Sequence, residues 1–314
     1  MLREKNLISI VVPLFNEEES ITETVKRLQQ LQNDLALDIN IEFIFVDDGC
    51  KDNTLGHLRN FAKHSPNIKV ISLSRNFGHQ IAITAGIDLA SGDYVAVIDG
   101  DLQDPPELIA DMYRKALTGF DVIYGKRRTR SGETVFKKAT AAGFYRLLNY
   151  MCEIDIPTDT GDFRLMSRNV VDAFKQMRER HRFVRGMVPW LGFKSSYIEY
   201  DRAERFAGET KYPLKKMLVF ATNAILSFSS KPLTMAIRLG FLTILAGLLG
   251  AFYMVYLKLF YNIPLPGLTA ILVSIVLFSG MQIFLIGLVG EYIARIFEEI
   301  KQRPLYFVAE TINI

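Results

Sequence analysis

The sequence predicts an α/β fold, an open and mostly parallel sheet, followed by a two-helix transmembrane hairpin. Three observations carry this reading. Short β-branched runs alternate with helical stretches in the first part of the chain, most of these runs end in acidic or Gly-containing loops, and two long stretches after residue 235 are nearly free of charge. Strands that alternate with helices form parallel sheets covered on both faces. An apolar run of roughly 20 residues crosses a hydrocarbon core of about 30 Å.

Residues 7–13, Leu7-Ile8-Ser9-Ile10-Val11-Val12-Pro13, read as a buried strand. Asn16 and the acids after it form a loop that opens an amphipathic helix with Ile21, Val25 and Leu28 on its apolar face. Residues 41–46 form a second strand ending in Asp47-Asp48-Gly49, and residues 69–73 a third ending in Ser74-Arg75-Asn76-Phe77-Gly78. A helix over 80–89 follows, then a strand over 93–98 that runs into Asp99-Gly100-Asp101-Leu102-Gln103-Asp104-Pro105-Pro106-Glu107. A fifth strand, 121–124, ends in Gly125-Lys126-Arg127-Arg128. Ligands of such sheets bind outside the carboxyl ends of the strands, where Glu17, Asp47, Asp48, Asp99, Asp101 and Arg127 all fall.

Asp99 and Asp101 stand one residue apart at a strand end, in a turn loosened by Gly100. Two such carboxylates converge on one hard cation, or they are simply solvated in a loop before a helix; this stretch alone leaves both readings open.

The balance of 37 basic and 34 acidic residues argues against a nucleic-acid-binding protein. Cys50 and Cys152 make no disulfide framework and no metal-ligand spacing, which predicts a reducing compartment. The charged first residues and the short, Pro-broken run behind them do not read as a signal peptide, so the domain preceding the membrane region is expected in the cytoplasm.

Residues 236–260 carry only Arg238 and Lys258 as charges, and residues 268–289 carry none. Basic residues flank the pair on one side only, namely Lys211, Lys215, Lys216, Lys231 and Arg238 before it and Arg295, Lys301 and Arg303 after it. That asymmetry puts both termini in the cytoplasm and the short connection outside. The predicted organisation is a catalytic domain over 1–211, a juxtamembrane amphipathic helix over 212–231, transmembrane helices over 236–260 and 268–290, and a juxtamembrane helix with a tail over 291–314. For 213–230 an ordinary helix packed on the domain remains an equal reading.

Assembled, the stretches Val12-Pro13-Leu14-Phe15-Asn16-Glu17-Glu18, Val46-Asp47-Asp48-Gly49, Ser74-Arg75-Asn76-Phe77-Gly78, residues 99–107, Thr160-Gly161-Asp162-Phe163-Arg164-Leu165-Met166, the run 205–212 and Gly290-Glu291-Tyr292-Ile293-Ala294-Arg295 resemble a known family. They are similar to the family 2 glycosyltransferases of the GT-A fold, and within them to the polyisoprenyl-phosphate glycosyltransferases. The nearest resemblance is to the GtrB-like bactoprenol glucosyltransferase group, related to dolichyl-phosphate mannose synthase. Two positions depart from the family pattern, Cys50 where Ser is usual and His79 where Lys is frequent. His79 either replaces a basic group near a pyrophosphate or has a plain surface or packing role.

The resemblance implies inverting transfer of a hexose, glucose from UDP-glucose first, onto undecaprenyl phosphate for cell-envelope glycan (lipopolysaccharide) modification. Galactose, mannose, N-acetylglucosamine or an amino-sugar remain open. It implies Mg²⁺ or Mn²⁺ at Asp99, Asp101 and Gln103, with Arg127 on the same phosphates. Pro13, Phe15, Glu17, Asp47, Asp48 and Asp99 line the nucleotide. Lys137, Arg205 and Lys211 are the candidates for the acceptor phosphate. Asp162 is a base, or it orients Arg164, or it forms a structural ion pair with Arg164 or Arg168. His57, His64 and His181 show no partner pattern, and Trp190 reads as packing first, with contact to sugar or lipid as the alternative. The expected partners are a UDP-sugar, a polyprenyl phosphate lipid and the inner (plasma) membrane, with no nucleic acid. A homotetramer is implied by resemblance, and Gly240, Gly247 and Gly250 allow close helix contacts. A processive polysaccharide synthase is disfavoured: its Gln-x-x-Arg-Trp motif is missing, since Trp190 follows Pro189, and one hairpin cannot form a channel. A non-enzymatic sugar-nucleotide or lipid binder is disfavoured by the intact acids at 99 and 101.

Overall fold

The computed structural model describes residues 5–35, 39–128, 151, 160–201, 229–261 and 267–314. Lys137, Arg205, Lys211 and the segment 212–228 lie outside the described residues, as do Cys152 and residues 262–266.

The expected alternation is present. β1 (Leu7–Leu14), α1 (Ile21–Leu35), β2 (Asn40–Asp47), α2 (Thr54–His64), β3 (Ile68–Leu73), α3 (His79–Leu89), β4 (Tyr94–Val97), α4 (Leu108–Ala116) and β5 (Val122–Arg127) follow in order. Behind them come β6 (Thr160–Ser167), α5 (Arg168–Gln176), α6 (Val184–Trp190) and β7 (Ser195–Tyr200). Two long helices, α7 (Lys231–Tyr261) and α8 (Leu268–Ile300), precede a last strand, β8 (Val308–Ile312).

One sheet of order β7-β5-β6-β4-β1-β2-β3-β8 contains all eight strands among the described residues. β4, β1, β2 and β3 run parallel, whereas β6 is antiparallel to both β4 and β5, and β8 is antiparallel to β3. Side chains alternate across a strand, so β1 sends Ile8, Ile10 and Val12 to one apolar layer and Val11 to the other. α1, α2 and α4 cover the first layer, and α3, α5 and α6 the second. Burial on both faces explains why the central strands read as unbroken apolar runs.

One polar network sits inside. The Glu42 carboxylate accepts from Ser91 N (2.9 Å), Ser91 Oγ (2.8 Å), Lys69 Nζ (2.6 Å) and the Ser9 hydroxyl. Burial alone would raise its pKa, but the Lys69 bond and the Ser9 and Ser91 bonds outweigh burial and lower it below the ordinary 4.5. A folded-state pKa below the unfolded one contributes stability that is full above pH 4.5 and is lost as pH falls through the folded value. Glu42→Gln is therefore expected to flatten the fall in melting temperature on acidification below that pH. An unchanged slope in the variant would refute the account.

Two expectations need correction. α8 runs without a break from Leu268 to Ile300, so residues 291–300 continue the second apolar helix and are not a separate juxtamembrane helix. Its 33 residues span about 50 Å, longer than a hydrocarbon core of about 30 Å. The tail is also part of the sheet: β8 pairs with β3, and Ser74 N donates to Phe307 O (2.9 Å). The domain bounded at 211 is thus completed by residues 308–312.

The end of α8 is tied to the domain. Arg180 N donates to Glu299 Oε1 (2.7 Å), Arg180 Nη1 to Arg303 O (2.6 Å), and His181 pairs with Glu298 at 2.8 Å. α7 and α8 expose rows of large apolar side chains, Phe241, Leu248, Phe252, Leu277, Phe284 and Ile286 among them. By length and composition both can cross a membrane.

Candidate active site at the carboxyl edge of the sheet

The strand-end residues meet along one edge of the sheet. Phe15 and Glu17 follow β1, Asp48 to Cys50 follow β2, Arg75 to Gly78 follow β3, Asp99 to Asp104 follow β4, and Arg127 ends β5. β6 runs the other way, so its first residues, Thr160 to Asp162, reach the edge where its neighbours finish. The Val97↔Arg164 register brings Asp162 beside Asp99.

α1 pins the acidic turn: Ser20 Oγ and Thr24 Oγ1 both donate to Gly100 O at 3.1 Å. Asp101 is buried and its Oδ1 accepts from Gln103 N (3.2 Å). Leu102 between them takes φ 59, a left-handed conformation rare for a branched residue, and its side chain is buried. Asp99 Oδ1 is buried with no hydrogen-bond partner among the described residues.

Beside that oxygen lies a charged cluster. His79 Nε2 stands 3.5 Å from Asp99 Oδ1 and 3.2 Å from Asp162 Oδ2. Arg185 binds both oxygens of Asp162, Nε to Oδ1 at 3.1 Å and Nη2 to Oδ2 at 2.8 Å. Arg164, fully buried, adds Nη2 to Oδ1 at 3.3 Å. Burial would raise the Asp162 pKa, but the Arg185 charge and the His79 bond hold it well below the carboxylate range. Burial would lower that of His79, yet Asp162 and Asp99 raise it to about 9. For Asp99, burial prevails over the His79 charge and lifts the pKa to about 6. Asp162 therefore forms ion pairs with Arg164 and Arg185, while Arg168 pairs with Asp172 (3.5 Å).

At the β1–β2 end, Asp48 accepts from Phe77 N (2.7 Å) and Gly78 N (2.9 Å), and Asp47 from Cys50 N (2.9 Å) and Ser72 Oγ (2.6 Å). These carboxylates fasten the loops that frame the crevice. Burial raises the Asp48 pKa above its ordinary value. Cys50 Sγ accepts from Asn16 N (3.1 Å), and burial with Asp47 pushes its thiol pKa well up. Such a thiol links two loops and is no nucleophile. Pro13 is buried in β1, Phe15 is exposed, and Glu17 Oε2 accepts from Ser20 Oγ (3.0 Å).

A model of the family described as Glycosyl transferase family 2 matches residues 9–174. The chain belongs to glycosyl transferase family 2. The matched stretch contains Asp99, Asp101, His79 and Asp162 and stops before Arg185 and the long helices. Relatives extend the likeness to nearly the whole chain. The uncharacterized glycosyltransferase YkcC of Bacillus subtilis is 51% identical over 98% of this chain and 94% of its own. The SfII prophage-derived bactoprenol glucosyl transferase of Shigella flexneri is 40% identical over 97% of this chain and 98% of its own. A solved structure of glucosyl-3-phosphoglycerate synthase from Mycobacterium tuberculosis, with Mn²⁺ and UDP-glucose, aligns with 70% of this chain and 78% of its own at 20% identity and a TM-score of 0.45.

Family 2 members of the GT-A type are typically metal-dependent, and this crevice offers two donor sets. His79, Asp99 and Asp162 bring one ligand atom each to within 4.8 Å of one another. In that set, however, Asp162 carries two guanidinium groups and His79 is held protonated, so the set is balanced as an ion-pair cluster. Asp99 Oδ1, which accepts no hydrogen bond among the described residues, and the adjacent Asp101 carboxylate are hard oxygen atoms of the kind that divalent ions take.

Arg127, expected on the donor phosphates, stands beside a carboxylate in the structure. Its Nη2 lies 3.6 Å from Asp104 Oδ1 and its Nε donates to Tyr200 Oη (3.4 Å), while the Tyr200 hydroxyl donates to Asp104. Asp104, Tyr200 and Arg185 are site-lining residues that the sequence reading missed. Asp104 stood within the acidic stretch, but Arg185 carried no local signal among Arg178, Arg180 and Arg182. Trp190 also departs from the packing expectation: it is 59% exposed at the end of α6, which leaves the alternative of a sugar or lipid contact open.

Proposed function

We propose that this protein transfers a hexose, glucose from UDP-glucose, to polyprenyl phosphate at the cytoplasmic face of the inner membrane, with inversion at the anomeric carbon. The observation that carries the reading is the 40% identity to a bactoprenol glucosyl transferase over 97% of this chain, through both apolar helices. The strand-end acids supply the matching chemistry. In the reaction a phosphate oxygen of the lipid attacks C1 of the sugar as the C1–O bond to the β-phosphate breaks, and UDP leaves. A phosphate monoester has a second pKa of about 6, so the acceptor is already largely ionised and a strong base is not needed.

Asp99, Asp101 and Gln103 would hold Mg²⁺ or Mn²⁺, which when bound supplies Lewis-acid stabilisation of the departing diphosphate. Arg127 at the end of β5 would meet the same phosphates, and Pro13, Phe15, Glu17, Asp47 and Asp48 would frame the nucleoside. Lys137, Arg205 and Lys211 are the candidates for the acceptor phosphate. Asp162, beside Asp99, would act at the anomeric centre as a base or by orienting Arg164. The hairpin keeps both termini cytoplasmic, and a homotetramer through the helices fits the resemblance.

The test is purified protein with undecaprenyl phosphate and a panel of UDP-sugars, following UDP release and the mass of the lipid product. UDP release that depends on the lipid, fastest with UDP-glucose, is expected. Equal release without lipid phosphate would overturn the acceptor, and a faster second sugar would overturn glucose.

A further inference from the structure

The two guanidinium groups on Asp162 are not equivalent. Arg164 is fully buried and gives most of its donors to backbone: Nε to Asp162 O (3.1 Å), Nη1 to Val184 O (3.2 Å) and Nη2 to Gly161 O (3.1 Å). It ties β6 to the start of α6. Arg185 directs a planar fork at the carboxylate itself, and 30% of its side chain is exposed at the crevice.

A carboxylate turns easily about its last torsion, which has broad minima. Two parallel donor bonds from one rigid guanidinium remove that freedom. With the plane of Asp162 set by Arg185, Oδ2 is aimed at His79 Nε2 (3.2 Å), and His79 in turn faces Asp99 Oδ1 (3.5 Å). Arg185 is itself held from two sides. Val184 N donates to Gln80 Oε1 (2.8 Å), which joins the start of α6 to α3 one residue from His79. Upstream, Arg178 binds both oxygens of Asp88 (2.9 Å each), and Arg180 and His181 grip the end of α8. The fork thus stands at the end of a braced segment.

We propose that Arg185 is a positioning residue for sugar transfer: it fixes the Asp162 carboxylate in the plane that faces His79 and Asp99, and acts on the reaction only through Asp162. The proposal rests on the reading that Asp162 works at the anomeric centre.

The experiment uses the full chain in detergent with undecaprenyl phosphate and UDP-glucose, comparing Arg185→Ala, Arg185→Lys and Asp162→Asn. For Arg185→Ala, kcat is expected to fall about 100-fold, the scale on which a displacement of about 1 Å acts, with KM for both substrates within about threefold of wild type. Arg185→Lys recovers little, because an ammonium cannot fork. Added guanidinium ion restores part of the Arg185→Ala rate and none of the Asp162→Asn rate, a rescue that a merely structural arginine would not allow. Should Arg185→Ala melt below the assay temperature, Arg185→Gln carries the same comparison.

A kcat for Arg185→Ala within about threefold of wild type overturns the proposal, as does a loss confined to KM for either substrate, which would make Arg185 a substrate contact. The two failures separate cleanly. An Asp162→Asn protein at the wild-type rate removes the role of Asp162 itself, whereas an inactive Asp162→Asn beside an active Arg185→Ala removes only the positioning role.

Discussion

Asp101→Ala is expected to abolish sugar transfer while leaving the melting temperature within a few degrees of wild type. Under the proposed function, Asp101 is the second oxygen donor for the divalent ion, and loss of Lewis-acid stabilisation worth several kcal/mol lowers the rate a thousandfold or more. The structural loss is small by comparison. Its carboxylate accepts a 3.2 Å bond from Gln103 N within its own turn, which contributes about 1 kcal/mol, and the turn stays pinned by Ser20 and Thr24 on Gly100 O. UDP release by the purified variant, beside its thermal melt, checks both halves. Turnover at the wild-type rate would remove Asp101 from the metal site, and a collapse of the melt would make its role structural.

Gly49→Ala is expected to be the most damaging small substitution for stability. Gly49 has φ +65, and a Cβ there would lie 2.5 Å from Arg75 C and 2.6 Å from Asn76 N. Both are backbone atoms of the loop after β3, so no side chain can swing aside. Left-handed strain costs roughly 1–3 kcal/mol and overpacking about as much again. Together they approach the 5–15 kcal/mol that holds a typical domain folded, and a drop of about 10 °C in melting temperature follows. Gly119→Ala is the control: its φ is +95 but a Cβ would meet nothing within 4 Å. It carries conformational strain alone and should cost about half as much. Equal melts for the two variants would show that the contact between the β2 and β3 loops is not what constrains Gly49.

The catalytic sheet was legible because its central strands are local, apolar and buried on both faces. The same holds for the strand-end acids, which parallel topology sends to one edge whatever the details of packing. β6 was harder. It carries Asp162 and Arg164 in its interior, and their mutual pairing, together with Arg185 on Asp162 and backbone carbonyls on Arg164, lets a strand with two charges be buried. β8 gave no usable signal, because a five-residue edge strand is recognised by its partner, and Ile312 pairs with Val70 across most of the chain.

By itself, then, the sequence determined a parallel α/β domain with acids at its carboxyl edge and two apolar helices behind it, since hydrophobic period and run length are properties of contiguous residues. The tertiary structure decided what those acids face. An antiparallel strand delivers Asp162 to Asp99, a short helix delivers Arg185 to Asp162, and burial with unlike charges sets their protonation. Each of these is a contact between segments far apart in the chain, so it exists only once the chain has folded.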